Sequence, residues 1–88
     1  MKVDYSKTFK KQYQRLRENE KNRVKRSVYE FLEKYPNLSS SLRNHNLSGK
    51  YAGFSSISAG DDLRIHYYID NDEVMLCVAL GTHSELYE

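Results

Sequence analysis

The sequence predicts an α+β domain: an N-terminal strand and an antiparallel helical hairpin packed on a small, mostly antiparallel twisted sheet, in the order β-α-α-β-β-β. Three observations predict this fold class. The chain has 88 residues, which allows a single domain over residues 1–88 with one core. Apolar residues recur at helical spacing in its first half. In its second half they alternate with polar residues, as in strands.

The first two elements are a short strand and a helix. An apolar–polar alternation at Val3 and Tyr5 predicts the strand, and the Ser6 hydroxyl is suited to cap the helix that follows. The apolar stripe of this helix consists of Phe9, Tyr13 and Leu16. A polar break at Glu18–Glu20 is predicted to separate it from the next helix.

A second amphipathic helix follows the break. Its apolar positions are Val24, Val28, Phe31, Leu32 and Tyr35. Pro36 disfavours helical geometry at the residue before it, so we predict that the helix ends there. Two helices with apolar inner stripes need a further layer to pack against, and the rest of the chain must supply it.

The segment 37–46 contains three consecutive serines and is predicted to be a loop. After it the apolar period changes to that of strands. Tyr51–Ala59 has β-compatible residues interrupted by Gly53, which predicts a strand with a bend or bulge.

Two longer strands complete the predicted sheet. Apolar residues alternate through Leu63–Ile69 and again through Val74–Leu80, and Asp70–Asp72 supplies turn residues between them. Gly81 is predicted to close the last strand, and residues 82–88 are predicted to form a short tail. Short connections of this kind imply antiparallel pairing.

The two faces of this sheet differ in polarity. One face is predicted to cover the helices, and it carries Leu63, Ile65 and Tyr67. The opposite face carries Arg64 and His66. It must be at least partly exposed to water, because an unpaired buried guanidinium costs on the order of several kcal/mol.

Charge is divided unevenly along the chain. Residues 1–50 have 13 Lys+Arg and 5 Asp+Glu, a net +8, whereas residues 51–88 have one basic and 7 acidic residues, a net −6. A polyanion responds to such a local patch more than to the total of +2. A solvated helical surface is the plainer interpretation. The basic residues in question are Lys7, Lys10, Lys11, Arg15, Arg23, Lys25 and Arg26.

Several classes of protein are disfavoured. No segment has the roughly 20 apolar residues that cross a bilayer, and Met1–Asp4 lacks the apolar start of a signal peptide. The lone Cys77 cannot form an internal disulfide and is predicted to be a buried, inert thiol. We therefore expect a cytoplasmic protein that does not bind membranes.

Common catalytic and metal-binding motifs are missing from the sequence. It has no Gly-rich phosphate loop, no nucleophile elbow, no zinc-like Cys/His spacing and no HExxH. We predict neither a metal nor a cofactor. What remains is a set of polar residues that an antiparallel meander brings to one end of the sheet. They are His45, Asp62, Arg64, His66 and His83, with Tyr87 four residues after the last.

Three segments carry a resemblance to a known family. The closing run Gly81–Tyr87 (GTHSELY) resembles the end of RelE/ParE superfamily toxins, in particular the YafQ-like branch. The run His45–Phe54 (HNLSGKYAGF) is similar to that branch's His-x-Leu-(Ser/Thr)-Gly-x-aromatic-x-Gly-aromatic segment. Asp62–Tyr67 (DLRIHY) is similar to the strand that carries the family's functional acid or arginine. The resemblance spans essentially the whole chain and implies a RelE-like domain.

The resemblance implies a function. RelE-type members are toxins of bacterial type II toxin–antitoxin pairs and cleave messenger RNA in the ribosomal decoding site. It therefore implies an endoribonuclease whose partners are a cognate antitoxin, the ribosome and mRNA, with DNA bound only indirectly through the antitoxin complex. On this interpretation the basic helices contact RNA.

The resemblance also assigns residues. His45, Asp62, His83 and Tyr87 match functional positions of YafQ-like proteins, and Arg64 matches an arginine used in RelE itself. Two positions depart from the pattern. Ser58 stands where the branch has a histidine in the middle strand, and Leu63 stands where a tryptophan often follows the aspartate. The residues that we expect to support the site are His66, Ser58 and Lys50.

A metal-independent cleavage needs the 2′-hydroxyl of RNA to attack the adjacent phosphorus. We hypothesise that His83 is the general acid, that His45 or Asp62 is the base, and that Arg64 stabilises charge on the phosphate. Tyr87 is expected to stack on or orient a base. Two alternatives remain at this stage: a ParE-like toxin that inhibits DNA gyrase, and a noncatalytic member of the fold that binds RNA or an antitoxin.

Overall fold

The structure is a computed structural model and describes residues 1–87. Over these residues it has three α-helices, which are α1 (Lys7–Gln14), α2 (Glu18–Lys34) and α3 (His83–Tyr87). The strands are β1 (Lys2–Tyr5), β2 (His45–Asn46), β3 (Ser55–Ser58), β4 (Leu63–Asp70) and β5 (Val74–Thr82). Two short 3₁₀ turns lie at Ser40–Leu42 and Gly49–Tyr51. None of the described helices combines the length and hydropathy that a membrane-spanning helix needs.

The strands form one sheet in the order β1-β5-β4-β3-β2. The β1 strand pairs parallel with β5, and every other neighbouring pair is antiparallel. The predicted α+β class with a mostly antiparallel sheet is confirmed. The segment 37–46, expected to be a loop, contains a 3₁₀ turn and the edge strand β2, and the expected tail contains α3. The last residue of that tail, Glu88, lies outside the described residues.

The core lies between the helical hairpin and one face of the sheet. Phe31 is fully buried on α2, and its ring meets the ring of Tyr67 on β4 edge-on at 4.9 Å between centroids. The other main core side chains are Phe9, Val24, Val28, Leu42, Ile57, Leu63, Ile65, Met75, Cys77 and Leu80. The predicted inward face of β4 is therefore confirmed, and the helices leave the opposite face of the sheet free for other residues.

An irregularity between β4 and β5 sets which residues of β5 reach this core. Tyr67 pairs with Cys77 and His66 pairs with Ala79, so Val78 is an extra residue in the ladder. The alternation of β5 is therefore shifted by one residue at Val78. Before it, Cys77 points into the core, and after it Leu80 does. The sequence alternation alone does not show this shift.

The helix boundaries differ in part from the prediction. Ser6 caps α1 as predicted, with its hydroxyl accepting the N–H of Phe9 at 3.0 Å. The polar triplet Glu18–Glu20, however, is the first turn of α2 and not a break. Carboxylates are favourable at a helix N-terminus, and the Glu20 carboxylate accepts the N–H of Arg17 at 2.9 Å. The helix ends at Lys34, shortly before the proline, as predicted.

The strand predicted at Tyr51–Ala59 is shorter than expected. Tyr51 ends a 3₁₀ turn, and Gly53 lies before β3 with φ of +95°. That backbone conformation favours glycine and reverses the chain between β2 and β3. The result is a compact connection that places the Tyr51 ring over the free face of the sheet.

Candidate functional site

The site is built on the sheet face that points away from the helical hairpin. Directly opposed residues of neighbouring strands share a face, so His45 on β2, Ser56 on β3 and His66 on β4 form one row. Ser58 and Arg64 form a second row on the same face. The buried polar residues found within 1–87 are Ser56, Ser58 and His66, and all of them lie here. This face is therefore polar and only partly exposed.

The short helix α3 returns over this face. Thr82 and Glu85 form a reciprocal cap at its start: the Glu85 carboxylate accepts the Thr82 N–H at 2.8 Å, and the Thr82 hydroxyl accepts the Glu85 N–H at 3.3 Å. His83 and Tyr87 are four residues apart and so lie on the same side of the helix. The Thr-x-x-Glu spacing is a sequence signal for this helix that the tail prediction missed.

Four rings meet where α3 lies on the sheet. The centroid of the Tyr87 ring is 4.5 Å from that of His83, 5.5 Å from that of His66 and 5.4 Å from that of Tyr51. Tyr51 also contacts His66 edge-on at 4.8 Å, and its hydroxyl donates to the Leu86 carbonyl at 2.7 Å. Tyr51 thus fastens α3, a role that its place in the matched segment did not reveal.

His66 is at the bottom of this cluster and is fully buried. The expectation that it lies on a wet face was wrong, because Tyr51 and Tyr87 cover it. Its Nε2 lies 3.4 Å from the Tyr87 hydroxyl, and its Nδ1 has no hydrogen-bond partner among residues 1–87. Burial, assisted by the nearby His45, lowers the pKa of His66 below the ordinary value of 6.5. The ring is therefore held neutral.

His45 is exposed on the edge strand β2. It lies beside Ser56 of β3, in the row that also contains His66. Its Nδ1 lies 2.9 Å from the Arg43 carbonyl oxygen. A carbonyl can only accept, so Nδ1 carries the proton in the neutral ring and Nε2 presents a free lone pair to solvent. Nε2 is therefore the ring nitrogen that can act as a hydrogen-bond acceptor.

Arg64 is half-buried in the second row, beside the turn between β3 and β4. Its Nη1 donates to the Asp61 carbonyl at 3.3 Å and to the Ser58 hydroxyl at 3.5 Å. Asp62 is exposed in the same turn. Arg64 pairs with Gly81, two residues before His83, so the guanidinium and α3 are at the same end of the sheet.

The structure brings most of the predicted site residues to this face and separates others from it. His83 reaches His66 through the Tyr87 ring, and His45 occupies the same row as His66. Lys50 lies over the Tyr51 ring at 5.4 Å from its centroid. The basic residues of the hairpin lie on the other layer, and of those predicted to contact RNA the exposed ones are Lys7, Lys10, Lys11, Arg15, Lys25 and Arg26.

Arg23 and Cys77 both make contacts inside the protein. The guanidinium of Arg23 contacts the turn between β3 and β4, with its Nε donating to the Ala59 carbonyl at 3.1 Å. Cys77 is fully buried as predicted, and burial raises the pKa of its thiol to about 12. Among residues 1–87 no group of three or more His, Cys, Asp or Glu side chains is arranged to hold a metal ion.

An apolar groove lies in the helical layer, away from the site. Its volume is about 340 Å³, and its rim carries Lys10 and Lys25. Stacked rings of Tyr5, Phe9 and Tyr13 line it, with centroids 5.1 and 6.5 Å apart. We call this feature the hairpin groove.

The two-layer fold, with a helical hairpin on one face of a mostly antiparallel sheet, is that of RelE-like toxins. The chain belongs to the YafQ family, described as a bacterial toxin of type II toxin–antitoxin systems, whose sequence profile matches residues 1–88. A search of curated proteins found no match.

Solved structures share the fold. YafQ from E. coli strain BL21(DE3) is 18% identical, with a TM-score of 0.84 over 98% of this chain and 97% of that one. YafQ in the E. coli DinJ–YafQ toxin–antitoxin complex is 19% identical, with a TM-score of 0.80 over 98% and 96%. A metal-bound toxin from Helicobacter pylori is 28% identical, with a TM-score of 0.81 over 99% of each chain.

The buried imidazole makes stability depend on pH. The folded state of His66 has the lower pKa, so between pH 6.5 and that lower pKa the unfolded chain binds more protons. The contribution of His66 to the free energy of unfolding should therefore be constant between about pH 7.5 and 8 and should fall as the pH drops below about 6.5. Each unit by which the folded pKa lies below the unfolded one contributes about 1.4 kcal/mol.

Urea unfolding between pH 5 and 8 measures this effect. In His66→Gln the fall toward low pH should be smaller. An equal fall in both proteins would show that the His66 pKa is not lowered by folding.

Proposed function

We propose that this toxin is an endoribonuclease that cleaves messenger RNA on the ribosome by attack of a 2′-hydroxyl on the adjacent phosphate. The observation that carries the proposal is the contact of the His83 and Tyr87 rings at the end of the face that holds Arg64. This arrangement offers a proton donor, a surface for a base and a cation for a phosphate within one exposed region.

Arg64 is suited to bind the scissile phosphate. Only its Nη1 is engaged with the turn, at 3.3 and 3.5 Å, so the remaining N–H groups are available to phosphate oxygens. A planar guanidinium donates two parallel hydrogen bonds to phosphate, which the point charge of lysine does not reproduce. The cation stabilises the negative charge that builds up on the phosphoryl oxygens in the transition state.

His83 is suited to be the general acid. It is exposed on α3, and its ring lies against Tyr87, which limits its rotation. When the P–O5′ bond breaks, the imidazolium of His83 gives its proton to the leaving 5′-oxygen. Tyr87, 40% exposed, presents a ring on which a neighbouring base stacks.

The geometry favours His45 over Asp62 as the general base. Nδ1 of His45 is held by the Arg43 carbonyl, which leaves Nε2 as an acceptor. This nitrogen takes the proton of the 2′-hydroxyl while the oxygen forms a new bond to phosphorus, giving a 2′,3′-cyclic phosphate. Imidazole is a stronger base than a carboxylate and titrates nearer to neutral pH.

The ribosome is proposed to be held by the other layer. The exposed basic residues that we predict to contact RNA lie on the opposite side of the sheet from the face that carries Arg64, and they are Lys7, Lys10, Lys11, Arg15, Lys25 and Arg26. Each phosphate that they neutralise releases counterions, so affinity should fall steeply with salt. Phosphate contacts position a protein without reading sequence, so any preference for particular codons comes from the site and the reading frame.

The chemistry is tested by the ends of the RNA that it makes. Cleavage of a translated message, mapped by primer extension, should give codon-positioned breaks with 2′,3′-cyclic phosphate or 3′-phosphate ends, and chelators should not slow it. His83→Ala and Arg64→Ala should each lower the cleavage rate about 10²- to 10³-fold, the usual contribution of a general acid or a charge stabiliser. Lys34→Ala, on an exposed part of α2, is the matched control.

Two results would contradict the mechanism. The first is a set of 3′-hydroxyl ends, and the second is unchanged cleavage in the double variant His83→Ala/Arg64→Ala. Growth arrest without any cleaved message would favour a ParE-like action on DNA gyrase instead.

We further propose that the cognate antitoxin inserts the apolar side of an acidic amphipathic helix into the hairpin groove. The DinJ–YafQ neighbour is a toxin–antitoxin complex, which supports a protein partner for this chain. The groove offers an apolar floor and two lysines at its rim, so it complements an acidic segment with apolar anchors.

Charge reversal at the rim tests this partner. Lys10→Glu/Lys25→Glu should weaken binding of the purified antitoxin about tenfold or more at low salt, measured by titration calorimetry. Lys7→Glu/Lys11→Glu has the same net charge change but lies outside the groove. Equal weakening by both double variants would show that the antitoxin responds to overall charge and not to the groove.

A further inference from the structure

We propose that Arg23 is a positioning residue that acts through Arg64. It reaches from α2 to the turn between β3 and β4, defined here as residues 59–62 and called the β3–β4 turn, and holds this turn in the conformation that supports the Arg64 guanidinium. The inference rests on the ribonuclease function proposed above. It removes Arg23 from the residues expected to contact RNA.

Arg23 contacts the β3–β4 turn through two of its nitrogen atoms. Nε of Arg23 donates to the Ala59 carbonyl at 3.1 Å, and Nη1 lies 3.5 Å from the Asp61 carboxylate. The Asp61 side chain is 86% exposed, so this ion pair adds little by itself. The Arg23 side chain is only 29% exposed, and its bond to a backbone carbonyl fixes the chain at the start of the turn.

The Arg23 side chain also lies close to Gly60. A Cβ at this position would lie 3.0 Å from Cδ and 3.1 Å from Nε of Arg23, closer than carbon atoms normally pack. Gly60 has φ of +94° and Asp61 has φ of +48°, so two successive residues adopt conformations that L side chains disfavour. The Arg23 side chain therefore packs directly against the backbone of the turn, at a position where only glycine leaves it room.

The same turn also contacts Arg64. The Asp61 carbonyl accepts from Nη1 of Arg64 at 3.3 Å. The Ser58 hydroxyl accepts from the Gly60 N–H at 3.1 Å and lies 3.5 Å from the same Nη1. Arg23 and Arg64 thus both contact Asp61, the first at its carboxylate and the second at its carbonyl. The Gly60 backbone, against which Arg23 lies, is bonded to Ser58, the other partner of Arg64.

This arrangement also explains why Arg23 differs from Arg26, one turn further along α2. Arg26 is exposed and has its donors available to solvent. Nε and Nη1 of Arg23 both contact groups within the protein. These two donors are therefore not available to give a phosphate a parallel pair of hydrogen bonds. A displacement of about 1 Å at a catalytic group can lower a rate by about a hundredfold, so loss of this contact should affect the chemical step.

Steady-state cleavage of ribosome-bound message separates positioning from RNA contact. Arg23→Gln should lower kcat about tenfold, with KM and the salt dependence of binding unchanged. Arg23→Lys should not restore kcat, because an ammonium lacks the planar pair of donors. Arg26→Gln is the comparison for a phosphate contact and should raise KM and reduce the salt slope by about 0.7 to 0.9. Lys34→Gln, on the same helix, is the control for charge alone.

The double variant shows whether Arg23 acts through Arg64. In an Arg64→Ala background, Arg23→Gln should have no further effect on kcat, since residues that act as a unit are not additive. An equal further loss in that background would overturn the proposal. So would a raised KM and a reduced salt slope with normal kcat, because Arg23 would then be an RNA contact.

A second measurement does not depend on RNA cleavage. Hydrogen exchange of the Gly60 amide, which donates to Ser58, should be faster in Arg23→Gln than in the native protein or in Lys34→Gln. Unchanged exchange would overturn the positioning role, whatever the activity. Faster exchange in a protein that cleaves no RNA would instead show that the turn is held as described and that the proposed function is wrong.

Discussion

The packing of α3 against the buried imidazole of His66 is the contact on which the site depends. Without it, His83 and Tyr87 would belong to a solvated tail with no fixed relation to Arg64. The contact is made by rings, with the Tyr87 hydroxyl 3.4 Å from Nε2 of His66 and the Tyr51 hydroxyl bonded to the Leu86 carbonyl. A neutral imidazole is required there, because a buried imidazolium without an acceptor would oppose folding.

The sheet separates two surfaces of different chemistry. The helical layer carries exposed basic residues and the hairpin groove, whereas the other face carries the polar rows and α3. A ligand that contacts both must enclose the domain or wrap around its edge. This division agrees with a toxin that is held by ribosomal RNA on one side and reaches a message on the other, and with an antitoxin that competes for the helical side.

Much of the fold was predictable from the sequence. The stripes of α1 and α2 and the alternation of β4 are strong signals, since each residue on them enters one core. The side-chain orientation along β5 was not predictable from the sequence. A single extra residue at Val78 shifts its alternation, and the residue types do not indicate this shift. The helix α3 has five residues, which are too few to give a periodic pattern in the sequence. The capping pair Thr82 and Glu85 is its one sequence signal.

The residues of the site could be predicted from the sequence, but the burial and contacts of these residues could not. The spacing of His45, Asp62 and His83 suggested that they gather at one end of the sheet, but burial of His66 depends on Tyr51, which comes from a connection whose path the sequence does not show. Arg23 had the same appearance as the other basic residues of α2. Its contact with the β3–β4 turn is a tertiary property, because it joins residues 36 positions apart in the chain.

The most direct test is whether messenger RNA binds at the sheet face that carries Arg64, His83 and Tyr87. A structure of the protein on a ribosome, with a message that carries a 2′-O-methyl group at the cleavage position, measures this. We expect the scissile phosphate to lie within hydrogen-bond distance of Arg64 and His83. A base should lie against Tyr87, and α3 should still be packed on His66. A message bound along the helical hairpin, with the polar sheet face turned toward solvent, would contradict this expectation.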